Sequence, residues 1–340
     1  MTADAMASMV EAFEAIPAQC NPHVESARRH LDLWVVEHGL IERAAAKERF
    51  GKADFGWFAA VTYPTAGVEE LALVADWFAW LFLLDDQLDD GLLGKDRGEV
   101  GNLMGAIFDV LNDRGADPAG PSIVTALADL WRRTVVHAGP SWRTRFIEHV
   151  VAGGMAAVWE ADNRVCGTVP SEAEYIEKRR HTGAIYVCMD LIEIVEHIDI
   201  PSSVFDSDPF ARTLRAACDV VCWTNDLYSL DKEISLGEFH NLVPVVQQSR
   251  GPDRAEAVEI VAGLITERLD DYLGDEPTLP ASSGGTAELA AYAAGMRSWM
   301  RGNLEWSAST RRYRDSLPDS GNPAEYLERA LVGRTDQEAA

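Results

Sequence analysis

Apolar residues recur every three or four positions along most of this chain, with Ala, Leu, Glu and Arg frequent throughout. That spacing matches the ~3.6 residues per turn of an α-helix, so it predicts helices rather than strands. Strand-like alternation is nearly absent, and no unit of about 20–50 residues repeats along the sequence. The pattern predicts helices at about residues 25–48, 67–90, 101–113, 122–138, 142–160, 171–198, 207–234, 252–274 and 285–307.

Clusters of Pro and Gly separate several of these helices, at residues 115–122, 167–170 and 274–285. Such clusters are typical of turns. No Ser/Gly linker or change in composition divides the 340 residues. The pattern therefore predicts one all-α domain, a helical bundle around a central apolar cavity. We expect the two ends, about residues 1–20 and 316–340, to be mobile.

Three polar side chains follow one of the most apolar of these segments. Asn225, Ser229 and Glu233 are spaced four apart in N-D-L-Y-S-L-D-K-E, which begins two residues after the apolar pair Cys222-Trp223. Each step of four residues advances ~400° around a helix, so the side chains drift only ~80° and form one stripe about 12 Å long. An amide, a hydroxyl and a carboxylate beside a core need a partner that accepts oxygen ligands. Mg²⁺ is the cation that fits this donor set.

A second acidic cluster ends another apolar helix. In W-F-A-W-L-F-L-L-D-D-Q-L-D-D, residues 77–90, an apolar run leads into Asp85, Asp86, Asp89 and Asp90. Asp85/Asp89 and Asp86/Asp90 are four apart, and like charges at that spacing destabilise a helix by about 0.2–0.5 kcal/mol per pair. A bridging cation would remove this repulsion. The alternative interpretation is an ordinary solvated helix end.

Basic residues lie at fixed distances from these motifs. Arg179 precedes Asn225 by 46 positions (225 − 179), Lys232 stands inside the acidic stripe, and the pair Arg312-Tyr313 lies near the C-terminus. A guanidinium can hold two phosphate oxygens at once, and Lys adds a mobile point charge. Each could instead be a surface residue or a salt-bridge partner, but together they predict a phosphate-bearing ligand.

Net charge narrows the choice of partners. The chain has 30 Lys+Arg against 55 Asp+Glu, a formal net charge of −25. This charge argues against nucleic acid and anionic membrane as partners. A diphosphate is compatible with it if metal ions bring positive charge to the place where the ligand's negative charge lies.

Cysteine usage and the termini bear on the setting of the protein. The five cysteines form no C-x-x-C pair, and we interpret Cys218 and Cys222 as small core residues rather than metal ligands. The N-terminus lacks a basic region followed by a continuous apolar stretch, and no run of ~18 apolar residues occurs. We therefore expect a soluble cytoplasmic protein.

Taken together, these motifs resemble those of the bacterial class I terpene synthases, and they are most similar to the sesquiterpene cyclases. The resemblance covers nearly the whole chain, from about residue 70 to residue 313. In that family an aspartate-rich motif and an Asn/Ser/Glu triad bind three Mg²⁺ ions, which hold a prenyl diphosphate; Mn²⁺ is a candidate substitute. The resemblance implies that Asp85 and Asp89 are metal ligands, with Asp90 as an alternative last acid, and that Asn225, Ser229 and Glu233 form the second metal site.

The resemblance also assigns the remaining positions. It implies that Arg179 is a diphosphate sensor and that Arg312 and Tyr313 bind diphosphate when the site closes. Thr182 and Gly183 match the linker and effector positions, where a helix breaks and a backbone carbonyl faces the substrate. Glycine suits such a break because it has no Cβ to restrict the backbone. We expect about 91–100, 234–241 and the chain from about 308 onward to be mobile until ligand and metal bind.

Ionising an allylic diphosphate produces a carbocation, which water would quench. The cavity must therefore be apolar and largely dry. Aromatic faces stabilise cations. We expect Trp306, Phe82 and Phe78 to supply such faces, with Trp57 and Tyr186 as further candidates.

The predicted activity is cyclisation of a linear prenyl diphosphate, first of all farnesyl diphosphate, to a sesquiterpene hydrocarbon or alcohol. A diterpene cyclase acting on geranylgeranyl diphosphate is an alternative. An isoprenyl chain-elongating transferase would require a second aspartate-rich motif, where this chain has Asn225, Ser229 and Glu233. A class II cyclase would require a D-x-D-D motif, which does not occur. The remaining alternative is a non-catalytic helical interaction protein. The sequence does not determine whether the protein forms a homodimer.

Overall fold

The computed structural model describes residues 2–89, 97–279, 287–314 and 327–333. Within these ranges the chain forms helices and no β-strand, so the all-α prediction is confirmed. The α-helices are α1 (Thr2–Ala12), α2 (Val24–Glu37), α3 (Ala44–Ala53), α4 (Phe55–Thr62), α5 (Val68–Asp89), α6 (Arg97–Leu111), α7 (Ser122–Thr134), α8 (Pro140–Cys166), α9 (Glu172–Thr182), α10 (Ile185–Glu196), α11 (Ser202–Phe205), α12 (Asp208–Leu236), α13 (Leu242–Arg250), α14 (Arg254–Asp275) and α15 (Ala287–Ser309).

Some helix boundaries differ from the sequence predictions. The predicted helix 25–48 is two helices, α2 and α3, because the chain turns at Gly39, whose φ of 61° favours glycine. The predicted helix 171–198 is likewise divided into α9 and α10. α1, α4 and α13 were not predicted. α4 reads F-G-W-F-A-A-V-T and is buried on nearly every side, so it has no polar face to reveal a helical period.

α12 is the central helix of the bundle. It packs against α14 and α15, and it also contacts α9, α10 and α13. It ends at Gly237, whose left-handed backbone (φ 78°) caps the helix. Its middle section, from Ala216 to Thr224, is buried throughout. The polar stripe that begins at Asn225 therefore follows directly on a buried section of α12.

α15 approaches α4 very closely, and a glycine makes this approach possible. A Cβ at Gly302 would lie 2.5 Å from the carbonyl oxygen of Val61, which is closer than any carbon can approach. The two helices can therefore pack backbone to backbone. This contact brings the aromatic residues of α4 and α15 together beside α5.

Several predictions concerned mobile segments. α1 packs against α14, and Met9 in α1 and Phe13 just after it are completely buried. The mobility of residues 1–20 stays a prediction, and these two buried side chains oppose it. Most of 91–100 and of 316–340 lies outside the described residues. The segment 234–241 is described, and the carboxylate of Glu238 in it accepts a hydrogen bond from Nε of Arg164 at 2.6 Å. None of the described helices is long and apolar enough to cross a membrane.

Candidate active site

A cavity of about 620 Å³ lies between α5, α8, α12 and the junction of α9 with α10. Its size falls within the ~300–1,000 Å³ typical of small-molecule sites. One part of its wall is apolar and aromatic, and includes Phe58, Phe78, Phe82 and Trp299. The polar residues that line it are those of the predicted motifs: Asp85, Arg179, Asn225, Lys232, Glu233, Arg312 and Tyr313. The fold therefore brings motifs from four distant parts of the sequence to one cavity.

The first two aspartates of the acidic motif have different surroundings. The side chain of Asp85 lines the cavity and is 45 % exposed, whereas that of Asp86 is 11 % exposed. Asp86 accepts hydrogen bonds from Arg49 and from Arg312, each at 2.9 Å. Burial acts to raise the pKa of Asp86, but the charges of Arg312 and Arg49 outweigh it and hold the pKa well below its usual range. The side chain of Asp89 and the whole of Asp90 lie outside the described residues.

The pairing of Asp86 was not predicted from the sequence. A helix advances ~100° per residue, so neighbouring aspartates cannot both face the cavity. The apolar run that precedes the motif signals that one of the pair must turn toward the core and find a cation there. Asp85 thus lines the cavity, 3.6 Å from Arg312, and Asp86 anchors two arginines.

The Asn/Ser/Glu stripe lies on one face of α12, as its spacing predicts. Nδ2 of Asn225 donates to the Tyr313 hydroxyl at 2.5 Å, and the Ser229 hydroxyl donates to the carbonyl oxygen of Asn225 at 2.8 Å. Oε2 of Glu233 accepts a hydrogen bond from Nδ2 of Asn241 at 2.7 Å. Burial, together with the neighbouring charge of Asp226, raises the pKa of Glu233 to about 7.

This stripe fits a hard divalent cation. Its donors are an amide oxygen, a hydroxyl and a carboxylate, all of the type that Mg²⁺ prefers. Burial and the charge of Asp226 disfavour the ionised form of Glu233, and a divalent cation beside it would favour that form. In the described part of the chain no three His, Cys, Asp or Glu side chains cluster as a metal site by themselves. A cation here would therefore be held by the mixed set of Asn225, Ser229 and Glu233.

Arg179 is tied to this same motif. Its Nη2 donates to Oδ1 of Asn225 at 2.9 Å, and its Nε donates to Oδ1 of Asp226 at 2.8 Å. The other carboxylate oxygen of Asp226 accepts hydrogen bonds from the Tyr175 hydroxyl at 2.7 Å and from the backbone N–H of Leu242 at 3.0 Å. Asp226 is fully buried and so fixes the orientation of the guanidinium. Sequence reasoning gave Asp226 no role, although an acid inside a buried helix signals such a partner.

The junction of α9 and α10 breaks where predicted, but for a different reason. Thr182 and Gly183 both line the cavity. Gly183 has an ordinary φ of −73°, and the left-handed residue is Ala184, with a φ of 51°. A Cβ on Gly183 would lie 3.0 Å from Nη1 of Arg179 and 3.3 Å from Sγ of Cys222. Gly183 is therefore favoured by close packing against Arg179 and Cys222, whereas its backbone does not need the conformational freedom of glycine, which corrects the expectation.

Arg312 and Tyr313 connect the two acidic motifs. Arg312 bonds to Asp86 through both Nη atoms and lies 3.6 Å from Asp85, while Tyr313 accepts its bond from Asn225. The guanidinium of Arg312 also lies over the ring of Phe82, 4.9 Å from its centroid. Lys232 lines the same cavity. The predicted diphosphate-binding residues are thus assembled beside both acidic motifs.

Of the three aromatic residues expected to face the carbocation, two line the cavity and one does not. Phe78 and Phe82 line the cavity. Trp306 does not: it is fully buried, its indole N–H donates to the carbonyl oxygen of Ala53 at 2.7 Å, and its ring stacks on Phe58 with centroids 4.1 Å apart. Trp306 therefore supports the wall from behind.

Trp299 lies in the wall where Trp306 was expected. It precedes Trp306 by seven residues on α15, which is two helical turns. The helical period places both tryptophans on one face of α15 but does not tell which of them lines the cavity. Of the further candidates, Tyr186 packs against His149, and Trp57 lines a separate surface depression beside Arg28.

An all-α bundle that gathers these motifs around one aromatic cavity has the architecture of a terpene synthase. Comparison with known proteins agrees. The family model described as terpene synthase family 2, C-terminal metal binding, matches residues 76–271. The chain belongs to this family and is an enzyme, a terpene synthase. The resemblance drawn from the motifs is thereby confirmed, and the family model supports the use of a divalent metal.

Individual relatives cover most of the chain. Pristinol synthase of Streptomyces pristinaespiralis is 33 % identical over 307 residues, which covers 87 % of this chain and 82 % of the relative. The (2E,6E)-farnesyl diphosphate-cyclizing (+)-T-muurolol synthase of Roseiflexus castenholzii is 31 % identical, covering 86 % of this chain and 90 % of its own. The solved structure of linalool/nerolidol synthase from Streptomyces clavuligerus matches with a TM-score of 0.77 at 27 % identity, covering 86 % of this chain and 98 % of that one.

Proposed function

We propose that this terpene synthase is a Mg²⁺-dependent sesquiterpene cyclase. It would ionise farnesyl diphosphate, cyclise the carbocation to a sesquiterpene hydrocarbon or alcohol, and release diphosphate. The observation that carries the proposal is the single cavity in which Asp85, Asn225 and Glu233 stand beside the aromatic wall of Phe78, Phe82 and Trp299. The farnesyl chain length is supported by the activity printed for the muurolol synthase relative.

The polar residues of the cavity would bind the diphosphate. Asp85, with Asp89 or Asp90, would hold metal on one side, and the stripe of Asn225, Ser229 and Glu233 would hold it on the other. Three Mg²⁺ ions, or Mn²⁺ in their place, would neutralise the diphosphate and stabilise it as a leaving group. Two acidic motifs that converge on one cavity support this assignment.

Arg179, Lys232 and Arg312 would contact the diphosphate oxygens directly. Arg179 is held by Asn225 and Asp226, so its guanidinium is oriented before the ligand arrives. Such preorganised charges lower the barrier to ionisation because they need no rearrangement when the leaving group becomes more negative. Thr182 and Gly183 lie next to this guanidinium and would face the same end of the substrate.

The aromatic wall would stabilise the carbocation. Phe58 and Phe78 pack with centroids 4.8 Å apart, and Trp299 contacts both rings edge-on at 5.6 and 5.3 Å. The faces of aromatic rings attract cations by about 2 kcal/mol or more in a dry site. The rings also lack a nucleophile that could trap the cation, so cyclisation can continue.

Purified protein incubated with farnesyl diphosphate and Mg²⁺ tests this function. We expect release of diphosphate and a cyclised C15 hydrocarbon or alcohol, measured by gas chromatography with mass detection. Parallel incubations with C10 and C20 diphosphates test chain length. Longer prenyl diphosphates that appear only after isopentenyl diphosphate is added would indicate a chain-elongating transferase instead. The control is the same incubation without Mg²⁺, in which the protein should release no diphosphate.

A further inference from the structure

Two histidines and a tyrosine form a cluster in the cavity wall that has no role in binding diphosphate. His149 and His181 line the cavity. Tyr186 packs against both, with its ring centroid 4.9 Å from that of His149 and 5.1 Å from that of His181. An imidazole in a cavity that must protect a carbocation calls for an explanation, because its lone pair can act as a base.

Asp190 fixes the orientation of His149. Oδ2 of Asp190 lies 2.6 Å from Nδ1 of His149, and Oδ1 accepts a hydrogen bond from Nε of Arg145 at 2.9 Å. Asp190 is fully buried, and its carboxylate also pairs with the guanidinium of Arg145. A carboxylate can only accept, so Nδ1 of His149 carries the proton and donates it. Nε2 then bears the lone pair, and it makes no hydrogen bond to the described residues.

His181 has the opposite character. Its Nδ1 is buried and lacks a hydrogen-bond partner within the described ranges. Burial and the neighbouring His149 lower the pKa of His181, so this ring is a poor proton acceptor. The two histidines lie in the same wall but differ in one respect. His149 has a carboxylate hydrogen-bonded to its ring, and His181 does not.

The thiols in the cavity are not competing bases. Cys188 and Cys222 both line it. Burial raises the pKa of the Cys188 thiol far above its usual value and that of Cys222 to about 12, so both stay protonated. A neutral thiol is a weak base. Among His149, His181, Cys188 and Cys222, His149 is thus the group best prepared to accept a proton.

We propose that His149, positioned by Asp190, is the base that ends the reaction by removing a proton from the last carbocation. The C–H bond next to the cationic carbon breaks, and its electron pair forms the C=C bond of the product. The proton binds to Nε2, and Asp190 stabilises the resulting imidazolium. The proton then passes to the departing diphosphate or to water, which restores the neutral ring. This inference rests on the proposed function.

The test compares His149→Asn with the wild-type enzyme on farnesyl diphosphate. The amide of Asn can still donate to Asp190, but it is not a base. We expect diphosphate release within about threefold of wild type, because ionisation does not use this residue. The main alkene should fall by about tenfold or more relative to alcohols and other alkenes. This is less than the ~10²–10⁴ of a general base, because diphosphate and water can also take the proton.

Chemical rescue separates a base from a packing residue. His149→Ala leaves space for a small ring, and added imidazole should restore the wild-type alkene. Pyrazole has nearly the same size but is a far weaker base, and it should not. The matched control is His181→Asn, which should retain the wild-type alkene as its main product.

The outcomes are distinct. If wild-type protein releases no diphosphate from farnesyl diphosphate, the proposed function fails. If wild type cyclises the substrate but His149→Asn gives an unchanged product ratio, the base assignment alone is wrong. A wild-type product that is exclusively an alcohol would also overturn the assignment, since no C–H proton is then lost in the last step. If imidazole and pyrazole restore the wild-type alkene equally in His149→Ala, then His149 only fills space and is not the base.

Discussion

Arg312 binds Asp86 through both terminal nitrogens of its guanidinium, with Nη2 2.9 Å and Nη1 3.1 Å from the carboxylate oxygens. The pair joins the end of the chain to the aspartate-rich helix α5, 226 residues earlier in the sequence. Both side chains are buried. The contact holds Arg312 beside Asp85, where it can also meet a diphosphate.

Asp86→Asn should destabilise the fold. It removes the carboxylate that compensates the charges of Arg49 and Arg312 in a buried setting, and breaking such a pair costs about 3–5 kcal/mol. We expect the free energy of unfolding to fall by about 3 kcal/mol, at the lower end of this range, because Asp85 still lies near Arg312. Urea unfolding followed by circular dichroism measures it.

The matched control is Asp85→Asn. This side chain is half-exposed, so its substitution should change stability by no more than about 0.5 kcal/mol. It should nevertheless abolish turnover, because Asp85 is the aspartate proposed to bind metal in the cavity. Equal loss of stability in the two variants would contradict the division of roles between the neighbouring aspartates.

Arg179→Lys should reduce kcat/KM by about 10²-fold. A Lys ammonium is a point charge and cannot reach Asn225 and Asp226 in the same fork-like geometry, so the charge presented to the diphosphate is misplaced. Steady-state kinetics with farnesyl diphosphate measures the effect.

Arg180→Lys is the neighbouring control. Arg180 binds both oxygens of Asp219 and is not among the residues that line the cavity. Its substitution should lower stability but leave kcat/KM within about twofold. A near-wild-type rate for Arg179→Lys would remove Arg179 from the diphosphate-binding residues.

Trp299→Phe should change the product profile more than the rate. Trp299 faces the cavity, and Phe offers a smaller and weaker π face to the carbocation. Trp306→Phe should instead retain the profile and lose about 1–3 kcal/mol of stability, because the buried carbonyl of Ala53 loses the indole hydrogen bond and keeps only the longer one from the Thr310 hydroxyl at 3.3 Å. Product analysis and thermal unfolding distinguish the two. If the product profile changed only in Trp306→Phe, then Trp306 and not Trp299 would be the residue that faces the carbocation.

His30 should make stability depend on pH. Its Nε2 lies 2.8 Å from Oδ2 of the buried Asp76, and this hydrogen bond raises the pKa of His30 above its usual value. Protonated His30 therefore stabilises the fold fully below the unfolded pKa of about 6.5. That contribution is lost as the pH rises through the higher pKa of the folded state.

The free energy of unfolding, measured between pH 5.5 and 8.5 for wild type and His30→Gln, tests this. The difference between the two proteins should be largest at the acidic end and shrink as the pH rises above about 6.5. His137→Gln is a suitable comparison, because within the described ranges this histidine packs against His197 and forms no salt bridge with an acid. A difference that grows with pH would show that His30 is held in its neutral form.

The candidate site illustrates how much could be predicted from the sequence. Asn225, Ser229 and Glu233 are four residues apart, which predicts one stripe on a helix. They do lie on one face of α12. The separate arginines could be connected with that stripe through the family resemblance. Spacing within one helix is a local property, so periodicity alone can establish it.

Other parts of the site depend on contacts between distant helices. No local pattern could indicate that Asp86 turns toward Arg49 and Arg312 while Asp85 faces the cavity. Gly183 seemed to be needed for its backbone freedom, but the structure shows that it makes room for Arg179 and Cys222. The pairing of His149 with Asp190, 41 residues away, was likewise visible only after α8 and α10 had been placed side by side.

The sequence by itself determined the helical class, the polar stripe of α12 and the acidic end of α5, because a helix repeats every ~3.6 residues whatever surrounds it. The tertiary structure alone decided which aromatic ring lines the cavity, which aspartate is buried and which histidine is supported by a carboxylate. Trp299 and Trp306 differ by two turns on one helix, and only the close packing of α15 against α4 at Gly302 places the first in the wall and the second behind it. Helical periodicity defines a face, but the neighbours that cover each turn of that face are set by packing between helices.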